Sequence, residues 1–172
     1  SFTKNTMKLC LLFSLCGLVG LSSLCQAEWP FFAMDTGTRD AEVKSYEQQA
    51  ALVKELGFSG IGYTGAARIP EMLAAVRQHG ISFAPLYNGI EVRDNGVTHN
   101  PNLEKAITEA RGREAIIWLY VGGRRPANPQ ATDAPVVAKL QALADHAAKS
   151  GVRLALYPHA GAYADRVQDC IR

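Results

Sequence analysis

The sequence repeats one local pattern, in which a helical stretch is followed by a glycine and then by a short apolar run. The pattern occurs at Gly57, Gly80 and Gly151. A glycine at this position adopts the left-handed conformation that ends a helix. Repeated helix-to-strand units of this kind predict a parallel sheet with right-handed crossovers.

Five apolar runs predict five strands, and helical spacing predicts the helices between them. The run at residues 115–121 is apolar throughout, which is typical of a strand that is buried on both faces. The third helix is predicted to begin with Asn100 as its N-cap and Pro101 at its first position. The strands are predicted at 29–34, 58–63, 81–87, 115–121 and 152–157. The helices are predicted at 45–56, 69–79, 101–110 and 135–150, and a fifth begins at 163.

These units predict an α/β fold, namely a parallel (β/α)8 TIM barrel that is incomplete, with about five βα units present. A complete barrel has eight units and typically about 250 residues, so the chain is expected to be a fragment or to receive its missing units from elsewhere. The alternative is a doubly wound open sheet. Against its dinucleotide-binding form, no G-x-G-x-x-G opens the first helix, because Gly60 and Gly62 lie within a strand.

Residues 1–27 are predicted to be a leader with a signal peptide. A positive start at Lys8 precedes an uncharged apolar run at 9–24, and small residues precede Glu28. The run is shorter than the roughly 20 residues of a spanning helix. We therefore expect a periplasmic or secreted protein with no stable membrane anchor after cleavage, in which residues 28–172 form the barrel part. The alternative is an uncleaved N-terminal anchor.

The net charge of +2 comes from the leader. Of 18 basic residues Lys4 and Lys8 lie there, with none of the 16 acidic residues, so residues 28–172 carry 16 of each. A neutral domain lacks the basic surface that nucleic-acid binding requires. The composition therefore predicts no nucleic-acid partner.

In β/α barrels, the functional groups lie at the carboxyl ends of the strands and in the loops that follow. This rule selects His159 and Glu91 as catalytic candidates, and it also selects His159 as a metal ligand. The candidates for substrate binding are Asp35, Tyr63, Tyr87, Tyr120, Arg124 and Tyr157.

Each of the polar candidates has a structural alternative. His159 is a general base or metal ligand, or else a hydrogen-bonded structural residue. Glu91 is a catalytic carboxylate or a solvated loop residue. Asp35 binds a ligand hydroxyl or caps the Asp-Thr-Gly turn. Arg124, next to Arg125, grips an anionic substrate or is merely exposed.

The four tyrosines occur near the ends of four of the five predicted strands. Tyr63, Tyr87, Tyr120 and Tyr157 either stack on sugar faces or pack in an upper layer of the core. The metalloprotease, P-loop and nucleophile-elbow motifs are absent from the sequence. The residues alone thus predict an active face and leave its reaction open.

Two segments resemble the xylose isomerase-like TIM-barrel superfamily, which includes sugar (phosphate) isomerases and epimerases, hydroxypyruvate isomerase and endonuclease IV. They are AAKSGVRLALYPH at 147–159 and LVKELGFSGI at 52–61. His159 matches the histidine that follows the fifth strand in this superfamily. Tyr157, however, stands where catalytic members usually place a metal-binding glutamate.

The resemblance implies proton transfer next to a carbonyl group, with a divalent metal (Mn, Mg or Zn) that stabilises the enediolate. The other metal ligands would belong to strands six to eight, so no metal can be demonstrated in this chain. We therefore expect a secreted sugar (phosphate) isomerase or epimerase-like protein whose partner is a small-molecule sugar or sugar derivative. The alternatives are a non-catalytic carbohydrate-binding barrel with a degenerate metal site and, less favoured, an endonuclease IV-like enzyme. The oligomeric state stays open.

Overall fold

The structure is a computed structural model that describes residues 29–112 and 115–172. The predicted leader at 1–27 lies outside the described residues. Within the two described ranges, no helix has both the length and the apolar character that crossing a membrane requires.

The described residues form six strands and five helices. The strands are β1 Phe32–Met34, β2 Gly60–Thr64, β3 Ser82–Arg93, β4 Gly96–His99, β5 Ile116–Gly123 and β6 Arg153–Leu156. The helices are α1 Tyr46–Glu55, α2 Ile69–Gln78, α3 Leu103–Glu109, α4 Asp133–Lys149 and α5 Val167–Ile171. Short 3-10 turns lie at Asp35–Gly37 and Pro129–Thr132.

The strands form one sheet in the order β1-β2-β3-β5-β6, and every neighbouring pair along this path is parallel. The predicted parallel sheet is therefore confirmed. The glycines that were predicted to end helices do so, with φ values of +79° at Gly57, +62° at Gly80 and +64° at Gly151. Glycine pays no steric cost in this left-handed region.

The third strand differs from its prediction, because β3 continues to Arg93 and turns back into β4. β4 pairs with the end of β3 in an antiparallel hairpin. Glu91 therefore lies within a strand, not in a loop. The third helix also begins later than predicted. It starts at Leu103, and the Asn100 side chain accepts the backbone N–H of Asn102 at 2.9 Å in a turn ahead of the helix.

One face of the sheet packs against the helices. Alternate strand residues, including Ile61, Leu86, Ile117 and Leu119, are fully buried and belong to one apolar cluster with residues of the helices. The opposite face, which we call the open face, carries the residues between them. Its large side chains are Phe32, Met34, Tyr87, Trp118, Tyr120 and Tyr157.

An irregularity in β3 decides which of its residues reach the open face. Ile61 pairs with Phe83, whereas Tyr63 pairs with Leu86, so β3 contains one extra residue between the two pairs. Both Phe83 and Leu86 point towards the helices and are buried. The extra residue shifts the alternation, and Tyr87 consequently lies on the open face.

Candidate functional site

Aromatic side chains from neighbouring strands meet on the open face. The Tyr87 and Tyr120 rings stack with their centroids 5.6 Å apart. Tyr157 meets Tyr87 edge to face at 5.5 Å and stacks on Trp118 at 5.9 Å. Trp118 and Tyr157 keep 38% and 39% of their surface exposed, so this aromatic cluster offers apolar surface to a ligand. The aromatic cluster comprises Tyr87, Trp118, Tyr120 and Tyr157.

Glycines on adjacent strands make room for the large side chains. Gly89 is the register partner of Tyr120, and a Cβ on Gly89 would lie 2.2 Å from the Tyr120 ring. Gly122 is the partner of Glu91, and a Cβ there would lie 2.3 Å from the Glu91 carboxylate. Both contacts are far inside van der Waals distance, so these side chains can lie flat across the sheet only because glycines stand opposite them.

Glu91 and Tyr120 form the polar centre of the cluster. The Tyr120 hydroxyl donates to Glu91 Oε1 at 3.2 Å. Burial, followed by the negative charge of Glu91 and this hydrogen bond, raises the pKa of Tyr120. Burial, followed by Tyr120 and Tyr157, raises the pKa of Tyr87. Both phenols are therefore neutral near pH 7 and can act as hydrogen-bond donors.

His159 lies beside this centre, just beyond the end of β6. Its ring is 6.0 Å from the Tyr120 ring and 6.2 Å from the Tyr157 ring, measured between centroids. Its Nδ1 contacts the carbonyl oxygen of Ala160 at 3.1 Å, and the residue is exposed. A hydrogen bond at one ring nitrogen orients the imidazole and leaves the other nitrogen open to a ligand.

Two adjoining cavities extend along the open face. A cavity of about 280 Å³ reaches the aromatic cluster and is bounded by Met34, Thr64 and Tyr87 among others. A larger one, of about 490 Å³, continues towards the other end of the strands. The second is mostly apolar, and its lining includes the side chains of Phe32, Met34, Pro85, Ile116, Trp118 and Arg153.

The structure thus brings five of the predicted site residues together and separates the other three. Those that meet are Tyr87, Glu91, Tyr120, Tyr157 and His159. Tyr63 points the other way, towards α1, where its hydroxyl bonds the Tyr46 hydroxyl and the carbonyl oxygen of Ala67, each at 2.7 Å. Burial, followed by its contacts with Tyr46, raises the pKa of Tyr63.

Asp35 is fully buried at the end of β1, and both of its carboxylate oxygens are engaged. Oδ1 accepts the backbone N–H of Thr64 at 2.9 Å, and Oδ2 accepts a guanidinium N–H of Arg39 at 2.8 Å. These contacts tie the carboxyl ends of β1 and β2 together. These contacts are structural, but they join β1 to β2 and do not cap the Asp-Thr-Gly turn as the alternative predicted. The contact of Asp35 with a ligand stays a prediction.

Arg124 follows β5 and lies outside the aromatic cluster. It is exposed and lines a separate cavity together with residues of the β3–β4 hairpin. Its neighbour Arg125 forms an ion pair with Asp169.

The described residues do not fit a complete metal site. Among them, no three His, Cys, Asp or Glu side chains are grouped as metal ligands would be. Glu91 and His159 are the metal-binding side-chain types at this centre, and Tyr157 stands at the position of the expected glutamate. These residues supply only part of a metal-ligand set.

Sequence reasoning missed Trp118, Gly89 and Gly122. The alternation of side chains along AIIWLYV places Trp118 and Tyr120 on the same face, so this signal was available. The two glycines give no signal of their own, because their role depends on which residue stands opposite them in the next strand.

No protein-family model matches the chain, and no curated protein matches it significantly in sequence. Solved structures, however, match its fold. A Sinorhizobium meliloti 1021 protein, SMc04130, superposes with a TM-score of 0.54 at 23% identity, covering 74% of this chain and 50% of that one. An AP endonuclease, family 2, from Brucella melitensis gives a TM-score of 0.57 at 16% identity, covering 78% of this chain and 59% of that one.

A third structure, the apo form of the 3-keto-D-glucoside 4-epimerase YcjR from E. coli, gives a TM-score of 0.57 at 17% identity, covering 78% of this chain and 58% of that one. The chain thus spans between half and three fifths of the length of these proteins. At such identities the likeness concerns the fold. The chain thus shares the fold of these proteins, and its described residues form five parallel strands of an incomplete (β/α)8 TIM barrel.

Proposed function

We propose that this chain is part of an exported sugar isomerase or epimerase, in which the aromatic cluster holds the sugar and Glu91 and His159 transfer protons next to a carbonyl group. The observation that carries the proposal is the hydrogen bond from Tyr120 to Glu91 within the aromatic cluster, beside His159. The predicted leader supports export, and the 3-keto-D-glucoside 4-epimerase of the same fold supports a sugar substrate.

The aromatic cluster suits the apolar C–H face of a sugar ring. Trp118 and Tyr157 are parallel within 1° and partly exposed. Aromatic rings provide rigid apolar surface, and the tyrosines add hydroxyl groups that can bond sugar hydroxyls. A ligand on this surface would lie at the carboxyl ends of the strands, where barrels place their chemistry.

The polar centre suits proton transfer. A base removes the proton from the carbon next to a carbonyl group, and the electron pair of the broken C–H bond forms an enediolate. Returning a proton to the neighbouring carbon moves the carbonyl, whereas returning it to the opposite face of the same carbon inverts that centre. In the proposed reaction Glu91 removes the proton and His159 supplies one, while the neutral Tyr120 hydroxyl holds the Glu91 carboxylate.

Proton exchange with solvent tests this reaction. The purified protein would be incubated in D₂O with a panel of aldoses, ketoses and 3-keto sugars, with and without added Mn²⁺, Mg²⁺ or Zn²⁺, and followed by NMR. We expect deuterium at the carbon next to the carbonyl. Glu91→Gln and His159→Asn should each reduce the rate at least about 100-fold, whereas Glu55→Gln, an exposed change on α1, should leave the rate unchanged. An equal rate in the Glu91→Gln variant would refute this role.

A second candidate function is carbohydrate binding without catalysis. It is favoured by Tyr157, which packs on Trp118 at a position where a metal ligand was expected. Sugar binding can be followed by titration calorimetry and by the fluorescence of Trp118, with Trp29→Phe to remove the other tryptophan. Binding that is lost in Tyr157→Ala, together with no deuterium exchange in the parent protein under any metal condition, would favour this alternative.

A further inference from the structure

A third cavity, the one lined by Arg124, lies beyond the carboxyl ends of β3 and β5, apart from the two open-face cavities. It has a volume of about 470 Å³ and is bounded by the β3–β4 hairpin on one side and by the connection from β5 to α4 on the other. Its walls are largely apolar, with polar groups from both sides. The lining residues that the argument uses are Arg93, Asp94, Arg124, Thr132 and Tyr163.

The two arginines of this cavity lack carboxylate partners. Among the described residues, Arg93 and Arg124 form no ion pair within 4.0 Å, although arginines nearby do. Arg125, the residue after Arg124, pairs with Asp169, and Arg172 pairs with Asp133 at 2.6 Å. Asp133 and Asp169 are therefore already paired. Asp94 is the single acidic residue of the lining and forms no ion pair among the described residues.

Two arginines against one aspartate leave the lining of the cavity with an excess of positive charge, which favours an anion. Guanidinium groups bind phosphate and carboxylate oxygens bidentately. The Thr132 and Tyr163 hydroxyls bond each other at 2.6 Å and hold the wall at the start of α4 in place, because Tyr163 also donates to Asp133 at 2.9 Å. Arg93 and Arg124 are exposed, so an anion can reach them from solvent.

The cavity also lies close to the proposed reaction centre. Arg93 is two residues beyond Glu91 on β3, so the two lie on the same side of the strand with their Cα atoms roughly 7 Å apart. Arg124 lies four residues after Tyr120, just past the end of β5 at Gly123. The roughly 7 Å between the Cα atoms of Glu91 and Arg93 is comparable to the length of a pentose or hexose chain. A sugar on the aromatic cluster could thus place a terminal charged group between the arginines.

We propose that this cavity binds the anionic group of an acidic sugar, either a phosphate ester or a carboxylate, through Arg93 and Arg124. That the anion belongs to a sugar depends on the proposed function, whereas the binding of an anion by the cavity does not. Residues 28–172 carry equal numbers of basic and acidic side chains, so their net charge is zero. The excess of positive charge at this cavity is therefore local and does not extend over the whole surface.

Titration calorimetry tests the proposal with four probes: inorganic phosphate, glucose 6-phosphate, glucuronate and glucose. We expect at least one acidic sugar to bind at least about tenfold more tightly than glucose. Arg93→Gln and Arg124→Gln should each weaken that binding at least about tenfold, in line with the loss of a charged hydrogen bond, and should leave the affinity for glucose unchanged. Arg77→Gln, an exposed change on α2 without an ion pair among the described residues, is the matched control.

The probes separate the sources of the anion. Arginine-dependent preference for glucose 6-phosphate identifies a phosphate ester, and the same preference for glucuronate identifies a carboxylate. Arginine-dependent binding of inorganic phosphate without tighter binding of either acidic sugar would support an anion cavity and refute the sugar assignment. Unchanged affinities in both arginine variants, or a tighter arginine-dependent complex with a DNA duplex that contains an abasic site, would overturn the proposal. Unfolding curves of the variants establish that each is folded.

Discussion

The glycine that stands opposite Tyr120 provides the sharpest test of how the site is built. Gly89 lies in β3 with an ordinary extended backbone, so Gly89→Ala introduces no backbone strain. The added methyl group would lie 2.2, 2.4 and 2.7 Å from three atoms of the Tyr120 ring. Because Tyr120 is only partly buried, we expect the ring to swing away from the sheet while the strands stay in place.

The magnitude follows from the contacts that the ring would leave. Its stacking on Tyr87 is worth about 0.5–1.5 kcal/mol, and its hydrogen bond to Glu91, partly open to solvent, about 0.5–1 kcal/mol. Replacing glycine by alanine restricts the unfolded chain and returns about 0.4–1 kcal/mol. We therefore expect Gly89→Ala to lower the free energy of unfolding by about 1 kcal/mol, while the proposed deuterium exchange or sugar binding falls at least about tenfold.

A double-mutant cycle in urea measures this coupling. In a Tyr120→Ala background there is no ring to displace, so Gly89→Ala should be neutral or slightly stabilising, which gives a coupling energy of about 1.5 kcal/mol. Gly37→Ala is the control, since a Cβ at Gly37 meets no atom within 4 Å. An equal cost of Gly89→Ala in both backgrounds would refute the proposed role of this glycine.

Three further predictions concern stability. Asp35→Ala should lower the free energy of unfolding by about 2–3 kcal/mol in urea, because it leaves the partly buried backbone N–H of Thr64 in β2 and the Arg39 guanidinium without their acceptor. Gly60→Ala should cost about 1–3 kcal/mol in the same assay, because the new Cβ would lie 2.4 Å from the carbonyl oxygen of Ser82, a backbone atom that cannot swing away. The hydrogen bond from Arg172 lowers the pKa of Asp133, so its contribution is complete above the ordinary aspartate pKa of about 3.9 and disappears as the pH falls through the lowered value. Thermal melts between pH 7 and pH 2 should therefore show a smaller acid-induced loss in Asp133→Asn than in the parent protein.

Matched variants give these predictions their controls. Asp94→Asn removes an exposed carboxylate that has no ion pair among the described residues, and Gly37→Ala adds a methyl group in open space. If Asp35→Ala proved no more destabilising than Asp94→Asn, or Gly60→Ala no more than Gly37→Ala, the contacts described for these residues would not carry the stability assigned to them. An identical pH dependence of the parent and Asp133→Asn would contradict the third prediction.

The sequence by itself determined the order of the helices and of the five parallel strands, although it did not predict β4. Gly57, Gly80 and Gly151 end their helices because the left-handed conformation is cheap only for glycine, which is a local property of the chain. The apolar run in β5 likewise identifies a strand without knowledge of its neighbours, but the prediction that both of its faces are buried is wrong. Trp118, on the open face, is 38% exposed, because the apolar side chains of this face belong to the aromatic cluster. In β/α barrels the functional groups lie at the carboxyl ends of the strands. This rule selected Tyr87, Glu91, Tyr120, Tyr157 and His159, which the structure brings together.

The tertiary structure alone decided which candidates share a surface, because this depends on register between strands that are distant in the sequence. The extra residue in β3 turns Tyr87 to the open face, whereas the alternation in β2 turns Tyr63 towards α1. Gly89 and Gly122 acquire their role only from the side chains opposite them in the sheet. Local propensity cannot encode such pairings, since a shift of one residue in register exchanges the two faces of a strand.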